Sequence, residues 1–367
     1  MGKIPYKEIG RNDHLENLVQ QNISISKQDW DTHETSWDFK ENELVRIAKA
    51  ERTDSLERAL KCYRSEWEDK FEQLHENEEE LNRKFIEIYG LQDELTPDVP
   101  MDEVTILQAG EITHVKDASE YGGGHYRWNY DNLMKQLISY AIGCYMGRYR
   151  LDREGLAIAH PEPSPEETAT YAFSGSCGAE HSFAMDEDGL IPMLPPDCGF
   201  ADNALLSVRQ FVRDVFGEDS YAANLNYIDS CLGKPLEEYL FKDFWADHKK
   251  MYQNRPIYWL FSSKKGAFKV LAYCHRMTRH SAELVRQRYL LPYIDRLKGR
   301  ADEIQAKGAG ATAAERRQLK YLLSGIAECE EYHTRLHAVA DRQIAFDLDD
   351  GVLRNYALFG DVLAKLK

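Results

Sequence analysis

Three features of the sequence predict a mainly α fold with small β elements (α+β): long helices, a β-hairpin module and a C-terminal helical hairpin. Apolar residues at 56, 60, 63, 67, 71, 74, 81, 85 and 88 recur by threes, fours and one seven, the period of an amphipathic helix. The run Pro256-Ile257-Tyr258-Trp259-Leu260-Phe261 and the run Phe268-Lys269-Val270-Leu271-Ala272-Tyr273 flank Ser262-Ser263-Lys264-Lys265-Gly266, two strands around a tight turn. Thr312-Ala313-Ala314-Glu315 is a capping box after a glycine-rich loop, so residues 281–298 and 312–346 read as an antiparallel helical pair.

In order, residues 1–40 read as an irregular linker whose Trp30 and Trp37 serve packing. Residues 41–155 form a helical spacer. Its first part, 41–89, is one long helix with Leu60, Trp67, Phe71 and Leu74 on the buried side, and Gly90 ends it. Val104 to Leu107 is a short strand candidate, and Tyr121-Gly122-Gly123-Gly124 reads as a loop, since no P-loop or dinucleotide spacing surrounds it. A patterned helix covers 132–149, where Gly143 and Gly147 permit close packing.

Residues 156–190, with PEPSPEE and many small residues, read as a surface excursion or insertion. Residues 191–300 form a basic module of DNA-recognition type, with helices at 204–216, 221–233 and 236–252 delivering the chain to the hairpin. Pro292 bends or restarts the helix at 281–298. Residues 301–367 form a C-terminal helical module, ending in a segment of strand and short-helix character.

At 367 residues with 43% hydrophobic and 29% charged content, the chain is long enough for two or three modules with a substantial core. It contains no apolar run of membrane-spanning length and its first residues lack the apolar stretch of a secretory signal. Seven dispersed cysteines without a C-x-x-C pair point to a reducing, cytoplasmic setting rather than a disulfide framework.

The net charge of −16 opposes non-specific nucleic-acid binding, but its distribution is uneven. Residues 242–300 carry fourteen Lys/Arg against four Asp/Glu, an excess of ten inside an acidic chain. Such a body repels DNA except at one basic region. Cations interleaved with aromatics suit a polyanion, because phosphates attract charge and bases need flat surfaces or forked donors. The candidates are Arg255, Lys264, Lys265, Lys269, Arg276 and Arg279 for phosphates or guanine edges, with Tyr258, Trp259 and His275 for packing or stacking. A core hairpin with a solvated basic rim is the competing reading of the same spacing.

The residues give no independent case for catalysis or a metal. His333 and His337 stand four apart on a helix without the Glu of an H-E-x-x-H motif, and Asp347, Asp349 and Asp350 lack the spacing of a calcium loop. No catalytic residue is assigned.

The segment RPIYWLFSSKKGAFKVLAYCHRMTRH resembles the C-terminal region of the BREX type 1 adenine-specific DNA methyltransferases, the PglX family of phage-defence enzymes. ISISKQDWDTHETSWDF at 23–39, YGLQDELTPDVP at 89–100, ISYAIGCYMGRYRLD at 138–152 and DLDDGVLRNYALFGDVLAKLK at 347–367 resemble it in the same order. The family's glycine-rich S-adenosylmethionine loop and Asn-Pro-Pro-aromatic motif are absent. Leu194-Pro195-Pro196-Asp197 holds the only Pro-Pro pair, without the Asn or the aromatic.

The resemblance implies a non-catalytic accessory portion that grips double-stranded DNA. It also implies a catalytic methyltransferase half in cis or trans, and S-adenosylmethionine as the cofactor of the complete enzyme with none in this chain. An enzyme acting on adenine N6 must expose the base, so accessory domains must hold the duplex. The alternative is a helical scaffold that docks other BREX subunits while sequence is read elsewhere.

Overall fold

The computed structural model describes residues 7, 12–115 and 125–366. The stretch Tyr121 to Gly124, expected as a loop, lies outside the described residues. The architecture is mainly helical, and the strands of the described residues form three small antiparallel sheets.

Helix α1 spans Asp13–Asp31, capped by the Asn12 side chain, which accepts from the N–H groups of His14 and Leu15. This corrects the irregular segment expected for residues 1–40. Ile23-Ser24-Ile25-Ser26 alternates with period two and masks the helical pairing of Leu15 with Leu18. Trp30 and Trp37 are not packing residues: they are 65% and 97% exposed.

The expected helix over 41–89 is broken once. Helix α2 (Glu43–Ala50) and helix α3 (Leu56–Tyr89) are separated by a turn in which Arg52 adopts φ 49°. Asn224 clamps this turn, accepting from Leu56 N–H at 2.9 Å and donating to Asp54 O at 2.7 Å. Leu60, Trp67, Phe71 and Leu74 are buried along α3, and Gly90 ends the helix in the left-handed conformation. Asn77 of α3, itself buried, donates to Gln21 and Asn22 of α1 and holds the two helices together.

Val104 to Leu107 is not a strand. It is a buried loop, with Leu107 at φ 60° donating its N–H to Asp29. The first hairpin instead pairs β1 (Ile112–His114) with β2 (Tyr126–Trp128). Helix α4 (Tyr130–Tyr145) follows, buried on most of its surface. Gly143 is required there: a Cβ would meet the Tyr149 ring at 2.6 Å and the Tyr258 hydroxyl at 3.1 Å. Beside it, Arg148 donates to Tyr149 Oη at 2.7 Å and to the Glu34 carbonyl, while Tyr252 donates to the Glu34 carboxylate at 3.4 Å.

Residues 156–190 are more integrated than a surface excursion. A short helix, α5 (Pro165–Thr168), leads into the hairpin of β3 (Tyr171–Ser174) and β4 (Glu180–Phe183), and Tyr171, Phe173 and Phe183 are buried. Strand β5 (Leu190–Pro192) is followed by α6 (Ala204–Phe216), α7 (Tyr221–Leu232), α8 (Leu236–Lys242) and α9 (Phe244–Met251).

Strands β6 (Tyr258–Ser262) and β7 (Lys269–Tyr273) form the expected hairpin, and β5 joins β7 so that the order is β5-β7-β6. Both faces of this sheet are covered, which explains its unbroken apolar runs. Tyr258, Leu260, Leu271, Tyr273 and Ile191 enter one hydrophobic core with α2 to α4 and α6 to α9. Trp259, Phe261, Val270, Ala272 and Leu190 enter a second core with the C-terminal helices. The free edge of β6 is closed by the terminal segment, where Ala364 N–H donates to Leu260 O at 2.8 Å.

Helix α10 (Ser281–Leu284) passes through one π-helical stretch, Val285–Leu290, into α11 (Leu291–Ala306). The widened turn precedes Pro292, whose missing N–H and ring a regular helix would not accommodate. Helix α12 (Ala313–Asp341), with the Thr312–Glu315 capping box, packs antiparallel on α11, and α13 (Val352–Leu358) completes the second core. Among the described residues no helix is long and apolar enough to cross a membrane.

Candidate nucleic-acid interface

The turn between β6 and β7 is built by its own backbone and by a distant helix. Ser263 N–H donates to Phe268 O at 3.0 Å, Phe268 N–H returns to Ser263 Oγ at 2.9 Å, and Gly266 sits at φ 79°. Glu328 of α12 accepts from Lys265 N–H at 2.6 Å and from Ala267 N–H at 3.3 Å. Burial raises the Glu328 carboxyl pKa, but these donors and Ser263 outweigh it and hold the group below its usual range. The Lys264 and Lys265 side chains are left exposed at the tip. No local signal in the sequence pointed to Glu328.

The nine candidate residues divide sharply. Arg255, Lys264, Lys265 and Arg279 are exposed. The hairpin does not gather them: Arg255 and Arg279 lie at its open end and the two lysines at its tip. The five-residue strand between them spans about 15 Å at ~3.3 Å per residue.

Of packing and stacking, the two roles open to Tyr258 and Trp259, the fold uses them for packing. Both are fully buried. Tyr258 stacks on His248 at 4.6 Å between ring centroids, and Trp259 packs against Phe346, Tyr356 and Phe359 at 5.4 to 5.7 Å. Their faces are already occupied by the protein's own rings.

Arg276 is corrected by its burial. It is 6% exposed and donates to three carbonyls, those of Met146, Asp186 and Glu187, at 2.7 to 3.1 Å. That leaves its fork no free edge for guanine. Lys269 is half-buried, donates to Phe241 O at 2.7 Å, and burial draws its pKa down. His275 lies against Tyr273 and Cys274, and burial, helped by Arg148, pushes its pKa down to about 4, so it is neutral at physiological pH.

The local charge excess shrinks by the same logic. Of the fourteen Lys/Arg at 242–300, eight are held by carboxylates or backbone carbonyls, as in Arg288 with Asp188 and Glu187, Lys298 with Glu330 and Arg300 with Asp197. Lys250, Arg255, Lys264, Lys265, Arg279 and Arg296 have no such partner among the described residues. The Pro-Pro pair is structural: Pro195 begins a single 3-10 turn, Asn203 donates to Leu194 O, and Asp197 receives Arg300.

No family model matches the chain. It is 37% identical over 378 residues to the adenine-specific methyltransferase BrxX of Escherichia coli O9:H4 (strain HS), covering 97% of this chain and 30% of that protein. The chain is homologous to part of the adenine-specific methyltransferases. The adenine-specific methyltransferase PglX of Lacticaseibacillus casei (strain Zhang) is 34% identical over 357 residues, covering 93% of this chain and 27% of that protein. The chain therefore spans under a third of the length of BrxX or PglX.

Proposed function

We propose that this chain is the DNA-recognition and accessory portion of an adenine-specific (N6) DNA methyltransferase of a BREX phage-defence system, and that it transfers no methyl group alone. The observation that supports the reading is the similarity of 93–97% of this chain to a part of BrxX and PglX. The exposed lysines at the hairpin tip, neither of them in a close ion pair, support a contact with phosphate. In this reading the cofactor of the complete enzyme is S-adenosylmethionine, supplied with a catalytic half in cis or trans. Lys264 and Lys265 grip phosphates, while Arg255 and Arg279 contact a phosphate or guanine from the other end of the hairpin.

A scaffold role in docking other defence-system subunits is the second reading. Val19, Ile23, Trp30 and Trp37, exposed around α1, favour it.

Fluorescence anisotropy with duplex DNA across a salt series separates the two. Lys264→Ala with Lys265→Ala is expected to weaken binding to all sequences and lower the salt slope by roughly two. A folded double variant that binds like the parent at every salt concentration removes the tip from the DNA and favours the scaffold.

A further inference from the structure

Helix α12 carries an uncovered face in line with the hairpin tip. At about 100° per residue, Arg317, Lys320, Tyr321, Ser324 and Glu328 fall within roughly 100° of arc. Glu328, at one end, is the residue that grips the turn through Lys265 N–H. The other four are exposed, and the Tyr321 ring is 77% exposed, unusual for an aromatic on a helix whose opposite side is core.

Two cations on this face, Arg317 and Lys320, outnumber its one carboxylate, Glu328. Arg317 and Lys320 have no hydrogen bond or ion pair among the described residues. The nearby carboxylates are engaged elsewhere: Glu315 with Lys307 at 2.6 Å, Glu330 with Lys298 at 2.7 Å, and Glu331 with Arg335 at 3.7 Å. In a chain of −16, Arg317 and Lys320 on one face, with Glu315, Glu330 and Glu331 paired elsewhere, mark a place where an anion meets free cations.

We infer that the Arg317–Lys320–Tyr321–Ser324 face of α12 and the Lys264–Lys265 tip form one continuous track for a phosphate backbone of duplex DNA. This rests on the DNA-binding reading above and extends it from the hairpin tip along the N-terminal half of α12. From Arg317 to Glu328 the helix rises about 16 Å, long enough to meet more than one phosphate of a strand. Arg and Lys meet phosphate by charge, and Tyr and Ser hydroxyls donate to phosphate oxygens. The track reads no base and acts alike on all sequences.

The test is anisotropy of the full chain with duplexes of unrelated sequence, over a salt series, with circular dichroism as the folding control. Arg317→Ala with Lys320→Ala is expected to lower the salt slope by roughly two and to weaken every duplex by the same factor. Arg52→Ala with Arg127→Ala, the same charge change among elements of the first core, is expected to leave the slope unchanged. A folded α12 variant with the parent's slope, while the Lys264/Lys265 variant still loses affinity, overturns the α12 track and leaves the DNA reading standing. An equal loss in the Arg52/Arg127 control overturns it as well, since net charge then explains the effect. A parent chain that binds no duplex overturns both.

Discussion

The Glu328 carboxylate accepts the Lys265 backbone N–H at 2.6 Å across 63 residues of sequence. The tip of the hairpin is thus positioned by α12 rather than by its own turn alone. Glu328→Ala leaves the Lys265 and Ala267 donors without this acceptor and is expected to mobilise the tip, seen as faster amide exchange at 264–267 with little change elsewhere. Because the folded carboxyl titrates below its usual range, the anchor is present at neutral pH and weakens as pH falls through that lowered value.

Arg276 is expected to behave as a structural residue. Arg276→Ala leaves three carbonyls without their donor and is expected to cost on the order of 3 kcal/mol in chemical denaturation. Arg279→Ala, at an exposed site three residues later, is expected to change stability by less than ~0.5 kcal/mol. Equal stability of the two variants would refute the assignment.

Trp259→Ala is expected to cost about 3–5 kcal/mol, since it empties a site lined by Phe346, Tyr356 and Phe359. Intrinsic fluorescence through a urea titration measures it. A loss of DNA affinity without a loss of stability would return Trp259 to the interface.

His248 sets an acid limit. Burial, and secondarily Arg148, pushes its pKa down to about 3, while its ring lies on Tyr258 and accepts the Tyr258 N–H at 3.1 Å. The unfolded chain takes up the proton near pH 6.5 and the folded chain does not. Stability is therefore full above about 6.5 and falls toward pH 3, by roughly 1.4 kcal/mol per unit from this group. His248→Gln is expected to flatten that part of the pH profile in denaturant titrations.

The chain alone is expected to incorporate no methyl label from S-adenosylmethionine into duplex DNA, since the two family motifs for cofactor and target base are absent from its sequence. Methyl incorporation above background, or stoichiometric cofactor binding, would contradict this.

Much of the fold was legible because it is written in local pattern. The periodic apolar residues of α3, the Thr312–Glu315 box and the two apolar runs around Gly266 each specify an element without reference to the rest. Helix α1 was hidden by a local alternation around Ile23 and Ile25, and the break before Leu56 depends on Asn224, a partner 168 residues away. The site was less legible for a related reason. Tyr258, Trp259, Arg276 and Lys269 have the composition of an interface, but whether a cation or ring faces water depends on which carbonyls and aromatics the fold brings to it.

The doubly covered sheet leaves the molecule without a seam. Parting its two cores would strip Tyr258 and Leu260 from one side or Trp259 and Phe261 from the other, at a cost on the order of 10 kcal/mol for either set with its neighbours. A hinge cannot run through such a wall, so the helices on its two faces keep their relation to the hairpin and to each other. The Lys264–Lys265 tip and α12, which packs on the same wall, are thus held as one solid piece.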